Sequence, residues 1–333
     1  MNNQKIFVLA PANVVTGGAE LLHQLVDVVN RNGGDAYIVY SSPGVMIPAD
    51  YKKYSIKVAD KIEDIESNII VLNEGVFNVV TDVKKAKIVL WWLSVDNFYH
   101  CNRKKLCLSD IWMFNKGMFW KELWNRIKRF RMRYEVSIEG LKRNSQVVVN
   151  GYQSEYAHSF LKKNGFNSLR SLGDYIDSEY LKDFDVAIKE NAVAYNPKKG
   201  YEFTRKLIAA APDLDWRPIS GLDRAGVIEL LKRCKVYIDF GNHPGKDRLP
   251  REAALCGCVI ITGRRGSAAF SEDVPILDSY KMNQYRVNVK DVVKKIKTAI
   301  ADYESAIKDF SEYRSIISNE KKVFESEIKD VFL

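Results

Sequence analysis

Residues 236–263, VYIDFGNHPGKDRLPREAALCGCVIITG, constrain the fold more than any other stretch of the chain. Two short apolar runs, VYIDF and VIIT, stand at its ends. Both are too short for a core helix and rich in β-branched and aromatic residues, so each reads as a buried strand. Between them lie a loop of Gly, Pro and basic residues and a short helix opening near Pro250. Proline is tolerated in a first helical turn, where the missing N–H has no partner to lose. The loop sets Gly241, Gly245, Lys246 and Arg248 just ahead of that helix. A helix N-terminus offers unpaired N–H groups and a positive dipole end, which suit an anion. Glu252 falls in the first turn, where a carboxylate can accept hydrogen bonds from hydroxyl groups.

The remainder alternates in the same way. Residues 5–10 (KIFVLA) form a short apolar run, followed by a turn containing Gly17 and Gly18. Leu21, Leu22, Leu25, Val26 and Val29 then recur at helical spacing, and Asn32, Gly33 and Gly34 stop that helix. Further strands are expected at 36–40, 69–72, 88–93 and 147–150, and an amphipathic helix over 150–165. In the second half a loop, a helix carrying Val227, Leu230 and Leu231, and a strand occupy 220–241. Residues 291–333 read as one or two helices with many Lys/Glu pairs. Strands separated by helices imply βαβ units and parallel sheets, whose ligands sit at the carboxyl ends of the strands.

The segment 236–263 resembles the donor-site signature of GT-B glycosyltransferases, roughly E-G-F-G-x-P-x-x-E-A-(M/A)-A-x-G-x-P-V-I. The chain supplies Phe240, Gly241, Leu249, Pro250, Glu252, Ala253, Ala254, Gly257, Val259 and Ile260. Pro244 stands where retaining members often carry an earlier Glu. The loop is also longer than usual and carries Lys246, Asp247 and Arg248. Residues 150–165 resemble the helix that closes the first domain of this superfamily, 171–177 the entry to the second, and 191–200 the strand and loop ending in Lys-Gly.

The resemblance implies an α/β protein with two Rossmann-like domains facing a cleft. Residues 1–168 would form the acceptor-side domain, with a basic aromatic insertion near 101–143. Residues 169–315 would form the nucleotide-sugar domain, and 316–333 a helix returning to the first. The implied activity is transfer of a sugar from a nucleotide-activated donor to a saccharide, in surface-polysaccharide assembly, with no metal ion and no cofactor beyond the donor itself. Lys199 matches the phosphate-contacting Lys, with Lys246 and Arg248 as further cations, because charge growing on the leaving diphosphate is stabilised by fixed cations and N–H donors. Glu252 would hold the ribose, and Gly221 and Leu222 would lie beside the base. Gly17, Gly18, Arg264 and Arg265 are expected on cleft loops.

An inverting enzyme needs a base on the acceptor hydroxyl. The candidates at strand ends in the first half are Glu74, Asp96 and His100; a retaining enzyme needs none of them. His23 reads as structural. Four histidines without Cys/His pairing argue against a zinc site. Asp183 with Asp185, and Asp213 with Asp215, form Asp-x-Asp triplets that read as solvated turns.

Residues 112–134 carry aromatic and basic side chains that segregate on a helical wheel. Trp120, Leu123, Trp124, Ile127, Phe130 and Tyr134 share one side; Lys121, Arg126, Lys128, Arg129 and Arg133 fall away from it. Such a helix suits an anionic membrane surface and a lipid-linked acceptor, or else packs its apolar side on a sheet. The net charge of +9 favours anionic partners. Nucleic acid is not expected, because no recognition motif appears and that class does not explain residues 236–263. A non-catalytic GT-B scaffold and a nucleotide-sugar hydrolase or epimerase remain as alternatives. No run is long enough to span a bilayer and the N-terminus does not read as a signal peptide. Five cysteines without framework spacing suit reduced thiols in the cytoplasm, peripherally attached at the inner face of the plasma membrane.

Overall fold

The computed structural model of the chain describes residues 4–102, 136–181 and 184–333. The basic aromatic stretch 112–134 and Asp183 lie outside the described residues. The chain divides into two compact units: Met1–Tyr152, Phe160–Arg170 and Val331–Leu333 form unit 1, and Gln153–Ser159 and Ser171–Asp330 form unit 2.

Unit 1 is built from β1 (Ile6–Ala10), α1 (Gly17–Arg31), β2 (Ala36–Tyr40), β3 (Ile69–Asn73), β4 (Lys87–Trp92), α2 (Val95–Asn102), α3 (Ile138–Arg143), β5 (Val147–Tyr152), α4 (Glu155–Lys163, which crosses the division) and β6 (Leu169–Ser171). The sheet order is β2-β1-β3-β4-β5-β6, with β1 to β5 parallel. Ile70, Val71, Leu72, Ile88, Val89 and Leu90 are buried, as expected of parallel strands covered on both faces. The helix expected from residue 150 begins at Glu155 instead. Asn150, Gly151 and Tyr152 remain in β5 because they pair with Leu90, Trp91 and Trp92. Trp92 fills the space beneath them, with ring centroids 4.9 Å from Phe77 and 5.4 Å from Phe166.

Helix α1 is buried almost all round, although its sequence is amphipathic. Residues 51–55 cover its polar side. Asp27 accepts from Ser55 N at 2.6 Å, and Tyr54 OH donates to Glu20 at 2.8 Å. His23 is structural: Nδ1 lies 2.7 Å from Ala19 O and Nε2 2.9 Å from Tyr40 OH.

Unit 2 follows with β7 (Glu190–Tyr195), α5 (Tyr201–Ala210), β8 (Asp215–Pro218), α6 (Arg224–Arg233), β9 (Cys234–Asp239), α7 (Arg248–Leu255), β10 (Val259–Thr262), α8 (Val289–Ala301), α9 (Tyr303–Ala306) and α10 (Ser311–Phe332). Its parallel sheet runs β10-β9-β7-β8. Strand order therefore reverses between β7 and β9, the kind of switch point at which such sheets bind ligands.

Helix α7 ends as its sequence directs. Gly257 takes φ +79°, Gly257 N donates to Ala254 O at 3.1 Å, and Cys258 N donates to Ala253 O at 2.9 Å. These are the two bonds of a Schellman cap, which needs a residue free to adopt the left-handed conformation. Lys189 completes the arrangement from below. Its ammonium donates to Leu231 O, Cys234 O and Cys256 O at 2.7–3.1 Å, satisfying carbonyls at the ends of α6 and α7. Cys234, Cys256 and Cys258 are free and buried, and burial pushes the Cys234 and Cys256 thiols up to about 12. Among the described residues no helix is long and apolar enough to cross a membrane.

Candidate functional site in unit 2

Three loops leave the carboxyl ends of β7, β9 and β10 and pack on one another. The first carries Lys199 and Gly200, the second Phe240 to Asp247, and the third Gly263 to Ser267. Glycine is required where they touch. Gly200 has φ +63°, and a Cβ there would run into the Phe240–Gly241 peptide. A Cβ on Gly241 would lie 2.7 Å from Lys199 Cβ. Gly266, at φ +57°, presses against the His243 backbone, and Ser267 fixes the loop by donating from N to His243 O at 2.8 Å and from Oγ to Gly245 O at 2.6 Å. The Lys-Gly and Phe-Gly pairs of the sequence thus belong to one backbone contact.

Four charged groups meet there. Lys199 Nζ is 2.8 Å from Asp247 Oδ2, which in turn is 3.1 Å from His243 Nδ1. His243 Nε2 faces Asp239 Oδ1 at 3.5 Å. Asp239 also accepts from Gly241 N at 2.8 Å and Tyr237 OH at 3.0 Å. His243 is fully buried. Burial opposes its charged form, but the two carboxylates outweigh that and raise it to about 10. Burial likewise opposes ionisation of Asp239, and His243 and Lys199 hold that carboxyl below its usual value. Among the described residues, Asp239, His243 and Asp247 are the group whose ligand atoms converge, within 4.8 Å of one another. One ring nitrogen faces each carboxylate, however, and Lys199 shares Asp247. This is an imidazolium held between two anions, with the ligand atoms already committed to cations.

Helix α7 begins beside this cluster. Pro250 is its third residue, so the absent N–H removes no helical bond. Arg248 Nε and Glu252 Oε1 lie 3.4 Å apart on one face of the helix, both largely buried. Burial raises Tyr180, and the neighbouring Glu252 adds to that shift.

Other expected site residues have different neighbours. Lys246 Nζ is 2.8 Å from Glu320 Oε1 on α10. The buried Arg251 joins Glu320 and Asp174, each at 2.8 Å, and so ties α10 to the segment preceding β7. Gly221, at φ +70°, and Leu222 are exposed in the loop after β8. Arg264 is engaged with Asp278 at 3.1 Å and donates to Lys281 O at 3.0 Å. Arg265 is half-buried at the start of the turn Gly266–Ala269. Asp185 caps a short turn, accepting from Ala187 N at 2.8 Å; Asp213 pairs with Lys297 and Asp215 with Arg217.

In unit 1, Gly17 and Gly18 open α1, half-buried and exposed respectively. Glu74 follows β3 and is buried, with burial raising it to about 7. It accepts from Leu93 N at 3.0 Å and so holds the loop between β4 and α2. Asp96 is half-buried in the first turn of α2, and His100 lies further along the same helix.

Sequence reasoning missed the roles of Asp239, His243 and Asp247. The signal was a D-x-x-x-H-x-x-x-D spacing that begins on the last residue of an apolar strand.

No protein-family model and no curated protein matches the chain. Solved structures do. HepE of Anabaena, in complex with UDP and glucose, superposes with a TM-score of 0.65 over 98% of both chains at 12% identity. Sucrose-phosphate synthase of Thermosynechococcus elongatus gives a TM-score of 0.68, covering 99% of this chain and 98% of that one, at 9% identity. WaaG, a glycosyltransferase involved in lipopolysaccharide biosynthesis, gives 0.56 over 97% and 99% at 12% identity. At such identities the likeness shows the fold: α/β with parallel sheets, two Rossmann-like units, of the GT-B type.

Proposed function

We propose that the chain is a glycosyltransferase that takes a sugar from a nucleoside-diphosphate donor held by unit 2 and passes it to a saccharide acceptor. The observation that carries this is the packing of the loops after β7, β9 and β10 at the switch point. It sets Lys199 against the Gly241 backbone, with Arg248 and Glu252 on the helix that follows. HepE, a neighbour in fold, is known in complex with UDP and with UDP-glucose. By that analogy Lys199 and Arg248 meet the diphosphate, Glu252 accepts from the ribose hydroxyls, and Gly221 and Leu222 flank the base.

Departure of the sugar leaves negative charge on the diphosphate. Lys199 as a point charge and Arg248 as a planar fork stabilise that charge more than the ground state, which lowers the barrier. These cations do the work that a metal ion does elsewhere, so a chelator leaves turnover unchanged. Glu74, with its value near 7, and Asp96 are the candidates for deprotonating an acceptor hydroxyl if the anomeric centre inverts.

The acceptor is proposed to be a lipid-linked saccharide of a surface polysaccharide, reached through the basic aromatic stretch 112–134 at an anionic membrane. The test is a panel of nucleotide sugars incubated with and without saccharide acceptors. Release of nucleoside diphosphate that depends on acceptor supports transfer. Equal release without acceptor supports the hydrolase alternative, and no release from any donor leaves a non-catalytic scaffold.

A further inference from the structure

Lys199, the group assigned to the donor diphosphate, already has an anion. Asp247 Oδ2 lies 2.8 Å from its ammonium. Asp247 is also the residue immediately before α7, in the N-cap position, yet its side chain caps nothing. An Asp at that position ordinarily accepts from an unpaired N–H of the first turn. Here the carboxylate turns away from its own helix and toward two cations, Lys199 and His243. His243 is fully buried and lies at 3.1 Å on one side and 3.5 Å from Asp239 on the other, with neither ring nitrogen in an aligned hydrogen bond. Lys199 and His243 against Asp239 and Asp247 make two positive and two negative groups, so the cluster is neutral with no ligand present. Tyr237, which donates to Asp239, stays uncharged because burial raises it well above its usual value.

We infer that Asp247 is a resident counter-ion for Lys199: it holds the ammonium when the donor is absent, gives it up to the incoming diphosphate, and is kept in place meanwhile by His243. This rests on the assignment of Lys199 to the donor phosphates. Asp247 is then a positioning residue that holds the long Lys199 side chain near the diphosphate position. Its competing charge also lowers nucleotide affinity, and its return to Lys199 favours product departure. His243 acts through Asp247, since its buried ring is screened from solvent.

Removing this carboxylate should therefore tighten nucleotide binding. Asp247→Asn keeps the shape and a capping amide but deletes the competing charge. Calorimetric titration with uridine, adenosine and guanosine diphosphate, one at a time, is expected to show about tenfold tighter binding of whichever the parent binds. In kinetics the donor KM falls while kcat does not rise, because without the returning carboxylate the nucleoside diphosphate leaves Lys199 more slowly. In a Lys199→Ala background the same substitution is expected to give no gain. Unchanged or weaker binding in a folded Asp247→Asn variant, or a gain that persists without Lys199, overturns the counter-ion role. If Asp247→Asn does not fold, Asp247→Ser carries the same expectation. A parent that binds none of the three nucleotides overturns the functional assignment itself; a parent that binds normally beside a variant without the gain overturns only the counter-ion.

Discussion

Replacing Arg251 by Met removes a buried cation that holds unit 2 together. The guanidinium lies 2.8 Å from Asp174 and 2.8 Å from Glu320, and the Arg251 and Asp174 side chains are 1% and 0% exposed. Methionine restores much of the apolar volume, so the loss is mainly electrostatic. Removing one member of a buried ion pair costs about 3–5 kcal/mol. Glu320 keeps Lys246 at 2.8 Å, so the deficit rests on Asp174 and belongs near the lower end, about 3 kcal/mol. For a unit of this size about 3 kcal/mol corresponds to a fall in Tm of about 6–12 °C. The effect depends on pH, with a definite sign. In the parent, burial opposes the charge on Asp174 but Arg251 outweighs it, so the carboxyl sits below 3.8. Its contribution is present above the unfolded value and lost as pH falls through the lower folded one. Without Arg251, burial prevails, the folded value rises above the unfolded one, and the ionised group becomes a liability as pH increases. Thermal melts of parent and variant near pH 4.5 and pH 7.5 are the assay. The gap in Tm should be wide at the higher pH and narrow at the lower. No gap at neutral pH, or the same gap at both, refutes the reasoning.

Lys199→Ala should lower turnover more than donor affinity if its ammonium meets charge that grows in the transition state; parent-like kinetics remove it from the site. Gly200→Ala is expected to destabilise unit 2 by more than about 1 kcal/mol in denaturant melts, because the left-handed backbone and the Phe240–Gly241 peptide both exclude a Cβ. Glu74→Gln should gain stability over the parent as pH rises. Burial lifts the folded value from 4.5 to about 7, so the parent bears a growing penalty between those values, reaching about 3 kcal/mol above them. The same variant, with Asp96→Asn beside it, tests for a base through loss of the alkaline rise in kcat. Replacing Arg126, Arg129 and Arg133 by Glu is expected to release the protein from anionic vesicles in sedimentation without changing its Tm; retention on the vesicles contradicts the membrane assignment.

Most strands were legible because parallel strands buried on both faces must be continuous apolar runs; 36–40 fell within the expected bounds. The helix over 150–165 was misplaced at its start because Asn150 and Gly151 read as polar helix entry, and only pairing with β4 reveals them as strand. In unit 2 the order of strand, loop and helix around Lys199, Gly200, Phe240, Gly241 and Glu252 could be read locally, but the contact between the loops that requires the glycines could not. Glu252 lies beyond the first turn, because α7 opens at Arg248 and not at Pro250. The commitments of Lys246 to Glu320 and Arg264 to Asp278 could not be read either, because those partners lie far along the chain or depend on loop closure. The buried position of His243 was equally hidden: its neighbours Asn242 and Pro244 suggest a surface loop, and burial follows from the packing of the loop after β10.

The central claim is that unit 2 holds a nucleotide sugar where the loops after β7 and β9 meet. A crystal structure of the chain with an intact donor tests it most directly. The account predicts diphosphate oxygens within hydrogen-bond reach of Lys199 Nζ, ribose hydroxyls on the Glu252 carboxylate, and Asp247 withdrawn from Lys199 while still against His243. A donor bound elsewhere, or one in this place that touches neither Lys199 nor Glu252, would contradict it.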